Sequence, residues 1–172
     1  GFGKNETLVG SVLKNHRNQV FLASKCGMAG VDGKRVIDGR PETIKAQCDA
    51  SLQRLQTDEL DLYYLHRWDK SVPIEDSVGA LADLVAAGKV RYIGLSEVSG
   101  ATIHKAHQVH PITAVQNEYS LWSRNAEHGA LQACEEIGAN LVAFSPLARG
   151  FLTGTLRQLD QLVEKDIRLN MP

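Results

Sequence analysis

Five short apolar runs alternate with stretches of helical period, and that alternation leaves few folds open to this chain. The runs are "VFLASK" (20–25), "LDLYYLH" (60–66), "VRYIGLS" (90–96), "ITAVQNEY" (112–119) and "NLVAFSPL" (140–147). Their length and apolar, aromatic or β-branched content suit strands covered on both faces. Between them, apolar residues recur every three or four positions: Ile44, Cys48, Leu52 and Leu55 behind Pro41, then Val78, Leu81, Leu84 and Val85 behind Pro73. Proline fits the first turn of a helix, where its missing N–H is no loss. Gly88 and Gly138 are natural helix stops. Ser99 is expected to cap "GATIHKAHQVH", Asn5 to cap "NETLVGSVLK" and Asn125 to cap "AEHGALQACEEIG". "GMAGVDGKRVIDG" reads as a polar, glycine-rich loop, and the stretch from Arg157 as a polar helix. Strand and helix alternate without a dividing linker, so the expectation is a parallel sheet covered by helices in one domain, 1–172.

Two parallel architectures compete: an open doubly wound sheet and a closed (β/α)₈ barrel. The first needs a GxGxxG turn between a strand and a helix to hold a dinucleotide. None is present, and "GFGKNE" has no strand before it. The strand ends favour the barrel. Lys25, His66, Ser96, Gln116 with Asn117, and Ser145 close five successive runs. Singly, each has an ordinary explanation: a snorkelling lysine, a satisfied core histidine, a cap, a hydrogen-bonded amide. Together they match enzymes that assemble their sites from the C-terminal ends of barrel strands. The chain is therefore read as an α/β protein of (β/α)₈ barrel type, with about five of the eight βα units present.

The bulk properties exclude several alternatives. A net charge of −1, with 23% charged and 43% hydrophobic residues, leaves no basic footprint for nucleic acid or a membrane surface. No apolar run approaches the roughly 20 residues of a membrane span. The polar start shows no signal-peptide pattern. The three cysteines are widely spaced, odd in number and without a CxxC pair. That predicts reduced thiols, a cytoplasmic setting and no zinc site. His104, His107 and His110 share a helix face but lack a carboxylate or thiol to complete a ligand set, so no metal is expected. The chain lacks an initiator Met and opens mid-pattern, which is expected of a portion of a longer product.

Four segments together resemble the aldo-keto reductases: "RPETIKAQCDASLQRLQTDELDLYYLHRWD", "PIEDSVGALADLVAAGKVRYIGLSE", "AVQNEYSLWSR" and "LVAFSPLARGFLTG". The nearest kin are the bacterial and plant members related to potassium-channel β subunits. The resemblance implies a barrel that binds NADPH across its C-terminal mouth and reduces a small carbonyl substrate with an Asp–Tyr–Lys–His tetrad. Lys25 matches the lysine and His66 the histidine. The Asp and Tyr belong to a "DTAxxYG" segment whose glycine matches Gly1, so this chain is expected to begin just after them. The last strand and the segment gripping the 2′-phosphate are likewise expected to be missing, and residues 1–172 alone to have negligible activity. Ser96 and Gln116 match groups that hydrogen-bond the nicotinamide carboxamide, and Phe144 the aromatic stacked on its ring. Ser145, Leu147, Arg149 and Gly150 match the loop along the pyrophosphate. Glu97 departs from the family's usual asparagine, and Glu59 from an apolar residue. Trp68 and Trp122 are expected to line the mouth.

Two rival readings accompany this one: a catalytically silent NADPH-binding regulatory protein of channel β-subunit type, and an aldolase-type lyase with Lys25 as a Schiff-base lysine. A partial barrel exposes strand edges, which favours a homo-oligomer.

Overall fold

A computed structural model of the chain describes residues 3–31, 34–156, 158 and 162–170. Seven strands and five α-helices occur among them. The strands are β1 (Ala23–Cys26), β2 (Met28–Val31), β3 (Lys34–Ile37), β4 (Leu60–Leu65), β5 (Val90–Ser96), β6 (Ile112–Glu118) and β7 (Asn140–Phe144). The helices are α1 (Lys4–Leu13), α2 (Pro41–Leu55), α3 (Ile74–Ala86), α4 (Gly100–Val109) and α5 (Ala130–Ile137). Strands β1, β4, β5, β6 and β7 form one sheet in that order, every neighbouring pair parallel. The five apolar runs are thus its five strands, and α2, α3, α4 and α5 are the crossovers between them.

Alternation along β4 shows how the sheet is covered. Tyr63 and Leu65 join the main core, with Ile44, Cys48 and Leu55 of α2 and Val78 and Leu81 of α3. Leu62 and Tyr64 point the other way and meet Ala114 and Val142 in a smaller cluster. Helices therefore lie on one face, and the opposite face is the inner face of the curved sheet. Burying each large core side chain contributes about 1.5–3 kcal/mol. Gly94 of β5 is required by packing on the inner face: a Cβ there would lie 2.4 Å from the Tyr64 ring on the adjacent strand. All three cysteines are buried and unpaired. Burial pushes the Cys48 thiol up to about 11, so it is an inert core group. No described helix is long and apolar enough to cross a membrane.

Several local expectations change. "GMAGVDGKRVIDG" is not a loop: β2 and β3 pair antiparallel, Met28 with Ile37 and Val31 with Lys34. Asp-Gly between two short runs is a strong hairpin signal that the glycine count obscured. Asn5 is not the cap of α1, which begins at Lys4, and the Gly3 carbonyl accepts Thr7 N–H at 3.0 Å. Asn125 opens only a short 3₁₀ turn, Asn125–Glu127; α5 starts at Ala130 because Gly129, at φ +121°, interrupts the helical path. Ser99 does cap α4, accepting Thr102 N–H at 3.3 Å. The first strand starts later than "VFLASK" suggests, and Val20 and Phe21 stay exposed at the sheet edge. Beyond residue 156 the described residues hold a 3₁₀ turn, Ile167–Asn170, and no α-helix; Arg157 itself lies outside the described residues.

Candidate active site

Strand register fixes which residues share the inner face. Lys25 pairs with Tyr64, and Tyr64 with Gly94. Gly94 pairs with Ala114, and Ser96 with Gln116. Gln116 pairs with Val142, and Glu118 with Phe144. His66 lies two residues beyond Tyr64, and its N–H donates to the Cys26 carbonyl at 2.9 Å, extending the ladder past β4. Side chains alternate along a strand, so Lys25, His66, Ser96, Gln116 and Phe144 all belong to the inner face at its C-terminal end. Tyr63 faces the helices, where its hydroxyl is buried without a partner; the other such side-chain atom among the described residues is Asn117 Oδ1, also on the helix side. The two amides of "AVQNEY" therefore part company: Gln116 belongs to the inner face and Asn117 does not.

The electrostatics of this mouth are uneven. Lys25 Nζ sits 5.6 Å from the Tyr64 ring centroid, within range of a cation–π contact. Partial burial, then the charge of Arg67, holds the Lys25 ammonium below the usual lysine range. Burial also lowers His66 to about 4, with the cations Arg67, Lys25 and Arg35 acting in the same direction. His66 is therefore neutral at physiological pH, with one ring N–H to donate. Arg67 follows His66 directly in the chain. Its Nη1 donates to the His66 carbonyl at 2.7 Å and to Ser96 Oγ at 3.2 Å, tying the ends of β4 and β5 together.

Left-handed backbone shapes the rim. Glu97 has φ +55°, and its Oε1 accepts the Glu118 N–H at 2.6 Å. That bond gives the carboxylate a local use at a position where asparagine is the easier residue. After β7 the chain turns through Ser145 (φ +51°), Ala148 (φ +46°), Arg149 (φ +55°) and Gly150 (φ +91°). Ser145, Leu147, Arg149 and Gly150 therefore lie together in one irregular loop leaving the C-terminal end of the edge strand. Arg168 donates to the Arg149 carbonyl at 3.2 Å. Trp122 and Phe151 meet edge-on, centroids 5.0 Å apart, joining this loop to the one after β6. Trp68 is not a liner of the mouth: it packs against the helix-side core and donates Nε1–H to the Val72 carbonyl at 2.9 Å.

A cavity of about 560 Å³ is lined by Lys25, His66 and Arg35 together with Glu6, Arg54 and Leu55. It follows the edge of β1 and does not include Ser96, Gln116 or Phe144, so it is not by itself the outline of a cofactor site. Among the described residues no cluster of metal-ligating side chains occurs. His104 instead pairs with Glu136 at 2.9 Å, and His107 Nδ1 accepts the Ile112 N–H at 3.2 Å.

Residues 1–171 match the sequence profile of the Aldo/keto reductase family. The chain belongs to that family. It is 49% identical over 157 residues to "Probable aldo-keto reductase 1" of Glycine max, an alignment covering 90% of this chain and 45% of that protein. A glycerol dehydrogenase from Gluconobacter oxydans superposes with a TM-score of 0.92 at 31% identity, over 99% of this chain and 54% of its own. An aldo-keto reductase from Bacillus halodurans, solved in a holo form, gives 0.83 at 33% identity, over 91% of this chain and 53% of its own. The chain thus spans about half the length of the relatives it matches, and its five parallel strands with their helices form that portion of the barrel architecture.

Proposed function

We propose that this chain serves the reduction of aldehydes or ketones to alcohols, with NADPH as cofactor. The carrying observation is the register that gathers Lys25, His66, Ser96, Gln116 and Phe144 on one face at one end of the sheet. The residues present fit the cofactor. Gln116 is half-buried on the inner face, Ser96 is beside it, and Phe144 offers an aromatic face at the start of the loop 145–150. In this reading Ser96 and Gln116 hold the nicotinamide carboxamide and Phe144 supports the ring. Ser145, Leu147, Arg149 and Gly150 follow the pyrophosphate. The holo form of the Bacillus halodurans relative and the three buried free cysteines support a cofactor-binding, cytoplasmic protein.

Bound NADPH supplies the hydride. Negative charge then develops on the carbonyl oxygen, and donors aimed at it stabilise the transition state. Neutral His66 donates a ring N–H that orients that oxygen. The Lys25 ammonium lowers the cost of an adjacent phenolate and so sharpens a tyrosine acid. The family pattern places that tyrosine and its aspartate ahead of Gly1, so we assign turnover to a protein that supplies them. Residues 1–172 tested alone are proposed to bind NADPH and to reduce carbonyls more slowly by about 10²–10⁴-fold.

NADPH consumption with a panel of aldehydes tests the reading, alongside cofactor fluorescence. In a protein carrying the tetrad, Lys25→Met and His66→Ala are expected to lose consumption and keep cofactor binding. Undiminished consumption in either variant refutes the assignment.

A further inference from the structure

Arg67 carries more donors than the fold uses. Its Nη1 is committed to the His66 carbonyl and Ser96 Oγ, while Nε and Nη2 make no hydrogen bond among the described residues. Neither of those nitrogens is among the fully buried, unpartnered side-chain atoms, and the side chain as a whole is half-buried, so the Nε–Nη2 edge is not sealed in the core and its donors are uncommitted. No described carboxylate pairs with Arg67, Lys25 or Arg35, although most other arginines of the chain have an acidic partner. The charges that act on His66 are all positive, and so is the one that acts on Lys25. A tie between two strand ends needs one donor and no charge. A guanidinium held by one nitrogen, with its opposite edge presented as a fork, is the arrangement that grips a planar carboxylate through two parallel hydrogen bonds.

We propose that the uncommitted Nε–Nη2 edge of Arg67 binds a carboxylate on the substrate, so that this mouth selects carbonyl compounds that also carry an anionic group. The word substrate rests on the reductase reading above; the anion site itself rests only on Arg67 and its neighbours. Through Nη1 the same residue holds Ser96 and the His66 backbone, which places the bound anion beside the groups assigned to the cofactor's reacting end and to the carbonyl.

The test titrates benzoate, with benzamide as the neutral control, into the isotope-labelled chain while the Arg67 Nε–H and His66 ring signals are followed by NMR. Saturable shifts at both residues are expected with benzoate and none with benzamide. The affinity should fall about 10-fold or more in Arg67→Met, and by less in Arg67→Lys, which keeps the charge and loses the fork. Absence of benzoate binding at Arg67 in the wild-type chain overturns the proposal, whether or not Arg67→Met folds. Equal benzoate affinity in wild type and a folded Arg67→Met also overturns it. Saturating NADP⁺ should leave benzoate binding intact; competition would hand the edge to a cofactor phosphate and overturn the substrate assignment. In a protein that turns over, kcat/KM for para-carboxybenzaldehyde relative to para-nitrobenzaldehyde should fall about 10-fold in Arg67→Met, and an unchanged ratio contradicts the selectivity. Consumption of no aldehyde at all would refute the reductase reading instead, and the benzoate titration would still decide the anion site.

Discussion

Asp61 is a buried carboxylate at the start of β4, only 3% exposed, and removing it should be the most damaging polar change outside the mouth. One oxygen accepts the Leu22 N–H at 2.7 Å and pairs with Arg17 Nη1 at 2.8 Å; the other faces Arg91 Nη1 at 3.3 Å. Arg17 in turn donates to Thr57 Oγ1 at 3.2 Å and to the Glu59 carbonyl at 2.9 Å, so Asp61 anchors the segment that leads into β1. Asp61→Ala leaves the buried Leu22 N–H without its acceptor, costing about 1–3 kcal/mol. It also leaves Arg17 without its charge partner. Breaking a fully buried pair costs about 3–5 kcal/mol. Arg91 is largely in water, where its attraction is screened, so the lower end of that range applies. The two losses share one carboxylate and do not add in full, so the expected total is about 3–5 kcal/mol, or a drop in melting temperature of roughly 6–20 °C for a chain this size. Asp61→Asn keeps an acceptor for Leu22 and should lose about half as much. Burial opposes the Asp61 charge, but the Leu22 N–H and the two arginines outweigh it and hold the carboxyl below its ordinary 3.8. A depressed acid contributes stability above its ordinary value and loses it as pH falls through the folded one. Urea unfolding of wild type, Asp61→Ala and Asp61→Asn at neutral pH measures the effect. A change below about 0.5 kcal/mol in Asp61→Ala would place it among ordinary surface substitutions and refute the reasoning.

Three smaller predictions concern the inner face and one helix end. Gly94→Ala drives a methyl into the Tyr64 ring and to 3.1 Å from the Ala114 carbonyl, and urea unfolding should show a loss of about 1–3 kcal/mol. His66 should titrate by NMR near 4, well below its ordinary 6.5. Between those values the unfolded chain binds more protons than the folded one, so stability should rise with pH through that window, and His66→Gln should flatten the rise. Ser99→Ala removes the acceptor for the Thr102 N–H and should cost about 1 kcal/mol by thermal melting, against almost nothing for Ser99→Gly.

The sheet was legible because its signal is redundant. Val90–Ser96 and Ile112–Glu118 are apolar runs bounded by turn residues, and Pro41 and Pro73 mark the helices that follow β3 and β4. The ends of α1 and α5 were misjudged because a nearby asparagine looked like the better cap, whereas Gly3 and Gly129 set the backbone path through positive φ. The β2–β3 hairpin was missed because its glycines read as a loop and "KRVI" carries no apolar alternation to mark β3. Strand-end position alone singled out Lys25, His66, Ser96 and Gln116 as candidates. Register then explains why all four share a face, and why Asn117, one residue on, does not. Arg67 could not acquire a partner from sequence: its hydrogen bond reaches Ser96 at the end of the neighbouring strand, a contact that only pairing in three dimensions creates.

The most direct test of the account is a map of backbone amide shifts on adding NADPH to the labelled chain. Perturbations should concentrate at Ser96, Gln116, Phe144 and the loop 145–150, extending toward Lys25 and His66, with α2 and α3 unmoved. Shifts spread over the helical face, or absent from those strand ends at saturating NADPH, would contradict the shared mouth on which the functional reading stands.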